Sequence, residues 1–150
     1  MIRNISASLI TLIFMLSISA CQSQPEPIVY GEDNCENCKM TISDPKYGAE
    51  LITDKGKIFK FDSIECLSDY SRKIESQSIG SMWVTDLKTP ESLINTKDAF
   101  YILSDNLRSP MGLNLSAFSK IEDLDNAISK FGGSKISWDE ILNYVADKWN

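Results

Sequence analysis

Phe61-Asp62-Ser63-Ile64-Glu65-Cys66-Leu67 and Phe118-Ser119-Lys120-Ile121-Glu122-Asp123-Leu124 share Phe, Ile, Glu and Leu at corresponding positions, 57 residues apart. In each, polar residues spaced by three (Asp62 and Glu65, Ser119 and Glu122) form the capping-box pattern that opens a helix. An apolar stripe follows: Ile64, Leu67, Tyr70 or Ser71, and Ile74 in the first stretch, Ile121, Leu124, Ile128 and Phe131 in the second. Gly132-Gly133 stops the second helix. Ahead of the first, the runs Ala49 to Thr53 and Lys57 to Phe61 flank Asp54-Lys55-Gly56, whose glycine suits a tight turn, so a β-hairpin is expected. The repetition predicts an α+β domain of two related β-hairpin-plus-helix units. A C-terminal helix opens at Ser137-Trp138-Asp139-Glu140 and turns Ile141, Leu142, Val145 and Trp149 inward. Met82 to Thr85 and Ala99 to Leu103 are further strand candidates. Lys88 to Ser92 and Arg108 to Gly112 read as loops.

Before this domain the sequence changes character. Residues 1–20 carry one charge, Arg3, and then an apolar and small-residue run, which is the pattern of an export signal and too short for a membrane span. The run ends Ile18-Ser19-Ala20-Cys21, similar to a bacterial lipobox, in which Cys21 becomes the lipidated first residue of the mature chain. Gln22 to Pro27 is polar, with two prolines. The chain therefore divides into a signal (1–20), a lipid anchor and tether (21–33) and a folded domain (34–150). An ordinary cleavage site is the alternative at Cys21. The expected location is outside the cell's cytoplasm, anchored to a bacterial membrane and facing the periplasm.

The chain's 150 residues suit one domain, and its composition excludes several functions. There is no histidine, which removes imidazole-bound zinc hydrolases, Ser-His-Asp and Cys-His nucleophile systems and histidine acid/base catalysis. The formal charge is −6, and loss of the signal removes Arg3 alone to give −7. Such a surface is unsuited to nucleic acid. No phosphate-binding glycine loop or paired-carboxylate motif appears, and no enzymatic reading is supported by one.

What remains is sulfur. Cys35-x-x-Cys38-x-Met40 places two thiols and a thioether within six residues. If the segment is extended, Cys38 and Met40 share a face, and soft sulfur ligands select Cu(I) over harder ions. Met111, between Pro110 and Gly112, is the next candidate, because this loop can aim a flexible thioether at a site elsewhere. The competing readings are core packing for Met40 and Met111, a redox or structural disulfide between Cys35 and Cys38, and zinc held by Cys35, Cys38, Cys66 and a carboxylate. Cys66 itself reads as a small buried hydrophobe on the helix flank. Asp62 reads as a helix cap that could also attract a cation.

Taken together, Cys35-x-x-Cys38-x-Met40, Phe61 to Leu67, Val84-Thr85-Asp86 and Ser109-Pro110-Met111-Gly112 with Ala117-Phe118 resemble the NosL family of copper-chaperone lipoproteins. The blocks run in family order across nearly the whole mature domain. The resemblance implies a fold related to that of the organomercurial lyases. It also implies Cu(I) as cargo and nitrous oxide reductase, or another copper acceptor protein, as partner. By motif position it implies Cys38, Met40 and Met111 as copper ligands, with Cys35 auxiliary. Lys39 stands where the family usually has glycine, which restricts the backbone at that turn. Two further readings stand beside the copper chaperone: a thiol-disulfide oxidoreductase using Cys35 and Cys38, and a structural lipoprotein module.

Overall fold

The structure is a computed structural model that describes residues 24–149; Cys21 and the signal-like segment lie outside the described residues. Among the described residues there are seven strands and three α-helices. The first sheet contains β1 (Ala49–Thr53), β2 (Ile58–Phe61), β3 (Ile79–Thr85) and β4 (Leu93–Asn95), in the order β2-β1-β3-β4 and antiparallel throughout. Helix α1 (Ile64–Ser71) connects β2 to β3 through a short 3-10 turn at Ser76–Ser78. The second sheet contains β5 (Phe100–Leu103), β6 (Leu115–Phe118) and β7 (Ser134–Ile136), in the order β6-β5-β7 and again antiparallel. Helix α2 (Ile121–Phe131) connects β6 to β7, and α3 (Trp138–Trp149) ends the fold. This is the expected α+β architecture, with the repeat extended: each unit is a hairpin, a helix and a third strand that returns to the other side of the hairpin's first strand. Among the described residues no helix is long and apolar enough to cross a membrane.

The repeat is in register at the residues that revealed it. Phe61 pairs with Ala49, and Phe118 with Phe100; Ile58 pairs with Ile52, and Leu115 with Leu103. The hairpin connections differ, because residues 53–57 join the first pair and residues 104–114 join the second. The second loop is the longer one, and it contains Met111.

The helix starts differ from the capping-box reading. Ser63, in extended conformation, caps α1 and its side chain accepts the Cys66 N–H, so Asp62 is left free of that task. Lys120 begins α2 with no side-chain cap, because the Ser119 hydroxyl donates to Asp86 at 2.5 Å instead. At α3 the box does form, with Ser137 N–H and hydroxyl on the Glu140 carboxylate and Glu140 N–H on the Ser137 hydroxyl.

The two units share one core. Ala49, Leu51, Phe61, Leu67, Val84, Leu115, Ala117, Ile141 and Val145 pack together, and Trp149 closes against them. The second sheet is covered on both faces, since Tyr101, Leu115 and Ala117 face this core while Ile102 and Phe118 face Leu124 and Ala127 of α2. An isolated parallel bridge between Asp86 and Ala117, with Leu87 N–H on Ala117 C=O at 2.9 Å, joins the sheets. Ile28 is already buried in the shared core, and the backbones of Gly31 and Asp33 pair with Ile42.

Candidate metal centre

The Cys35 to Met40 segment is a tight turn, not the extended run assumed from its spacing. An antiparallel bridge between Asn34 and Thr41 closes its base; inside it Cys35 N–H donates to Met40 C=O at 2.8 Å and Lys39 N–H to Cys35 C=O at 2.9 Å. Lys39 takes φ 65°, the left-handed conformation that glycine adopts without steric cost. Glu36 N–H donates to Lys60 C=O at 2.8 Å, which seats the turn on β2 just before Phe61 and Asp62. A second fastening ties it to α1: the Asn37 amide donates to Asp69 at 2.9 Å, and Lys73 bridges both residues.

Seated in this way, the turn brings its thiols to the start of α1. The Sγ atoms of Cys35, Cys38 and Cys66 and a carboxylate oxygen of Asp62 all lie within 4.8 Å of one another. The three thiols are free. Cys35 and Cys66 have no exposed surface, Asp62 is buried and Cys38 is half-buried, so the cluster is reached from the Cys38 side. Cys38 Sγ faces Asp62 Oδ2 at 3.6 Å, while Asp62 Oδ1 is buried with no hydrogen-bond partner. A buried carboxylate oxygen without a donor is costly, and a cation would relieve it.

The thiols differ in acidity because they share protons. Cys35 is held below the usual thiol value, at about 6, chiefly because the Cys66 S–H donates to it; backbone N–H groups of Cys38 and Asp62 add to this against the opposing effect of burial. Cys66 is pushed up, first by donating that bond and then by burial. Burial, the negative charge at Cys35 and the Asp62 carboxylate together raise Cys38 to about 11. The first proton to leave the cluster therefore leaves Cys35, and a metal ion must displace the others.

The two thioethers differ in exposure. Met40 ends the turn and is 50% exposed, so its sulfur is free to meet an incoming ion or a partner. Met111 is half-buried and packs against the core that contains Cys35 and Cys66. It is a central residue of a β-turn closed by Gly112 N–H on Ser109 C=O, and the Ser109 hydroxyl donates to the fully buried Glu65 while accepting Asn114 N–H at 2.9 Å. The Met111 turn is thus fastened to the neighbour of Cys66. The four residues that converge, Cys35, Cys38, Cys66 and Asp62, are the three thiols and a carboxylate of the zinc alternative raised from the sequence, and two of them, Cys35 and Cys38, also belong to the copper set. Cys66 is buried, as read, and also faces the other thiols.

Fold and cluster together define a two-unit α+β domain with a sulfur-rich site at the start of its first helix. The NosL family model matches residues 28–146, and the chain belongs to that family. One relative, the copper-binding lipoprotein NosL of Stutzerimonas stutzeri, is 22% identical over 91% of this chain and 80% of its own length. The crystal structure of the copper chaperone NosL from Shewanella denitrificans superposes with a TM-score of 0.69 at 23% identity, covering 79% of this chain and 95% of that one.

Proposed function

We propose that the protein is a Cu(I) chaperone, exported and anchored to the membrane through a lipidated Cys21, that supplies copper to nitrous oxide reductase during assembly of its copper-sulfide centre. The convergence of free thiols within 4.8 Å carries the reading, because thiolates at a half-buried mouth bind a soft monovalent ion. Family membership and the names of the relatives support it. On this reading Cys38, Met40 and Met111 are the copper ligands, with Cys35 auxiliary. Exposure of Met40 and Cys38 lets an acceptor's ligands enter before the chaperone's own depart, so the ion is never stripped bare. Lipid anchoring keeps the donor at the surface where its acceptor matures.

Titration of the reduced protein with Cu(I) against a competing chelator tests this. Cys38→Ser and Met111→Leu should each weaken binding, the thiolate by about tenfold or more, equivalent to about 1.4 kcal/mol. Unchanged affinity in both variants overturns the three-sulfur site. Failure of the loaded protein to activate copper-free nitrous oxide reductase overturns the choice of acceptor.

Asp62 favours a second reading, in which Cys35, Cys38, Cys66 and Asp62 hold zinc tetrahedrally. A preference for Zn(II) when both ions are offered would establish it in place of copper.

A further inference from the structure

The four-atom cluster is deeper than the ligand set assigned above. Cys38 belongs to both, but Cys35 and Cys66 are fully buried behind it, whereas Met40 is half exposed. Metal–sulfur bonds of about 2.3 Å place three sulfurs around one ion about 4 Å apart. The observed spacing, within 4.8 Å, closes to that value by small side-chain shifts. The thiol set thus forms a seat of its own without help from either thioether.

We propose that the chain binds two Cu(I) ions: an inner ion on Cys35 and Cys66, an outer ion on Met40 and Met111, and the Cys38 thiolate bridging the two. The inference rests on the copper reading and extends it to capacity and order of release. A thiolate sulfur has several lone pairs, so Cys38 can serve both ions. Each ion arrives and stays as Cu(I), and no electrons move. Each thiol that binds exchanges its S–H bond for Cu–S bonds and releases one proton to water. Asp62 is a hard oxygen donor and a poor Cu(I) ligand, but its carboxylate lies within 4.8 Å of the thiol sulfurs and favours a cation there. The outer ion, at the exposed end, leaves first. The inner ion holds the turn against α1 until Cys38 is released.

Native mass spectrometry of the reduced chain, loaded with Cu(I) from a chelator buffer in tenfold excess of Zn(II), reads the outcome directly. Two copper ions are expected on the wild type and one on Cys66→Ser and Cys66→Ala. The single ion left in these variants should bind more weakly when Met111→Leu is added. X-ray absorption of the doubly loaded wild type, which needs no variant to fold, should show a copper–copper path that disappears in Cys66→Ser. Saturation at one copper, two coppers retained in both Cys66 variants, zinc as the second ion, or no copper–copper path each overturns the proposal. Absence of any bound copper would instead remove the chaperone reading itself.

Discussion

At Lys39 one side chain works against its backbone. The turn that carries Cys38 needs φ 65° there, and Cβ makes that conformation unfavourable by roughly 1–2 kcal/mol. The Lys39–Glu36 ion pair at 3.2 Å offsets little of this, because both partners are exposed. Lys39→Gly should therefore stabilise the protein, by about 1 kcal/mol in urea unfolding; an unchanged or lower midpoint would show that the turn relaxes around lysine without cost. The departure from the family pattern was visible in the sequence, but the dihedral that gives it meaning was not. Cys66 shows the same limit. Helical period put it at the edge of the buried stripe, and it is buried, yet period says only which way a side chain points. That the Cys35 turn occupies the space it points into follows from the Glu36–Lys60 and Asn37–Asp69 bonds, which join residues 24 and 32 apart.

Among the elements, the loop between β5 and β6 is the one the repeat did not foretell. Ile58/Ile52 and Leu115/Leu103 are equivalent pairs, but the second hairpin spans residues 104–114 and uses the extra length to bring Ser109 against Glu65. Glu65 is fully buried, its Oε2 has no partner, and burial raises its carboxyl above the usual range; Ser109 is therefore its principal side-chain support. Ser109→Ala should cost about 1–3 kcal/mol, the range for leaving a buried polar group unsatisfied. It should also release Asn114 N–H, so hydrogen exchange at that amide should quicken. Unaltered exchange together with a loss below about 0.5 kcal/mol would mean that water replaces the hydroxyl. Loops of this kind resist sequence reading, because Pro110 and Gly112 announce a turn without saying what anchors it. The same holds for β4 and β7, three residues each, which are strands only because β3 and β5 offer them free edges.

At the scale of the molecule, the N-terminal approach is bound to the sheet by a carboxyl group that prefers to be neutral. Glu50 lies on β1 with no exposed surface; its Oε2 accepts Glu26 N–H at 3.0 Å and its Oε1 has no partner. Burial raises its pKa from 4.5 to about 7; Glu26 and Asp33 add to the rise, and the Glu26 N–H and Lys60 oppose it. Lys60 is shared with Pro27 C=O at 2.9 Å and Asp33 at 2.8 Å, and so cannot neutralise Glu50 fully. The folded state consequently binds this proton more tightly than the unfolded state. Its contribution is fully present below about pH 4.5 and is lost as pH rises through about 7, where folding must bury an ionised group. Glu50→Gln keeps the acceptor for Glu26 N–H and removes the titration. Measured from pH 5 to 8, the Tm of Glu50→Gln minus that of the wild type should grow with pH and level off above about 7, the other titrating groups cancelling in the difference. Parallel curves would show that Glu50 is already ionised in the folded protein. A growing gap would mean that the segment around Glu26 and Pro27 is held most firmly in mildly acidic surroundings, with the thiol turn, joined to the same Lys60, fastened alongside it.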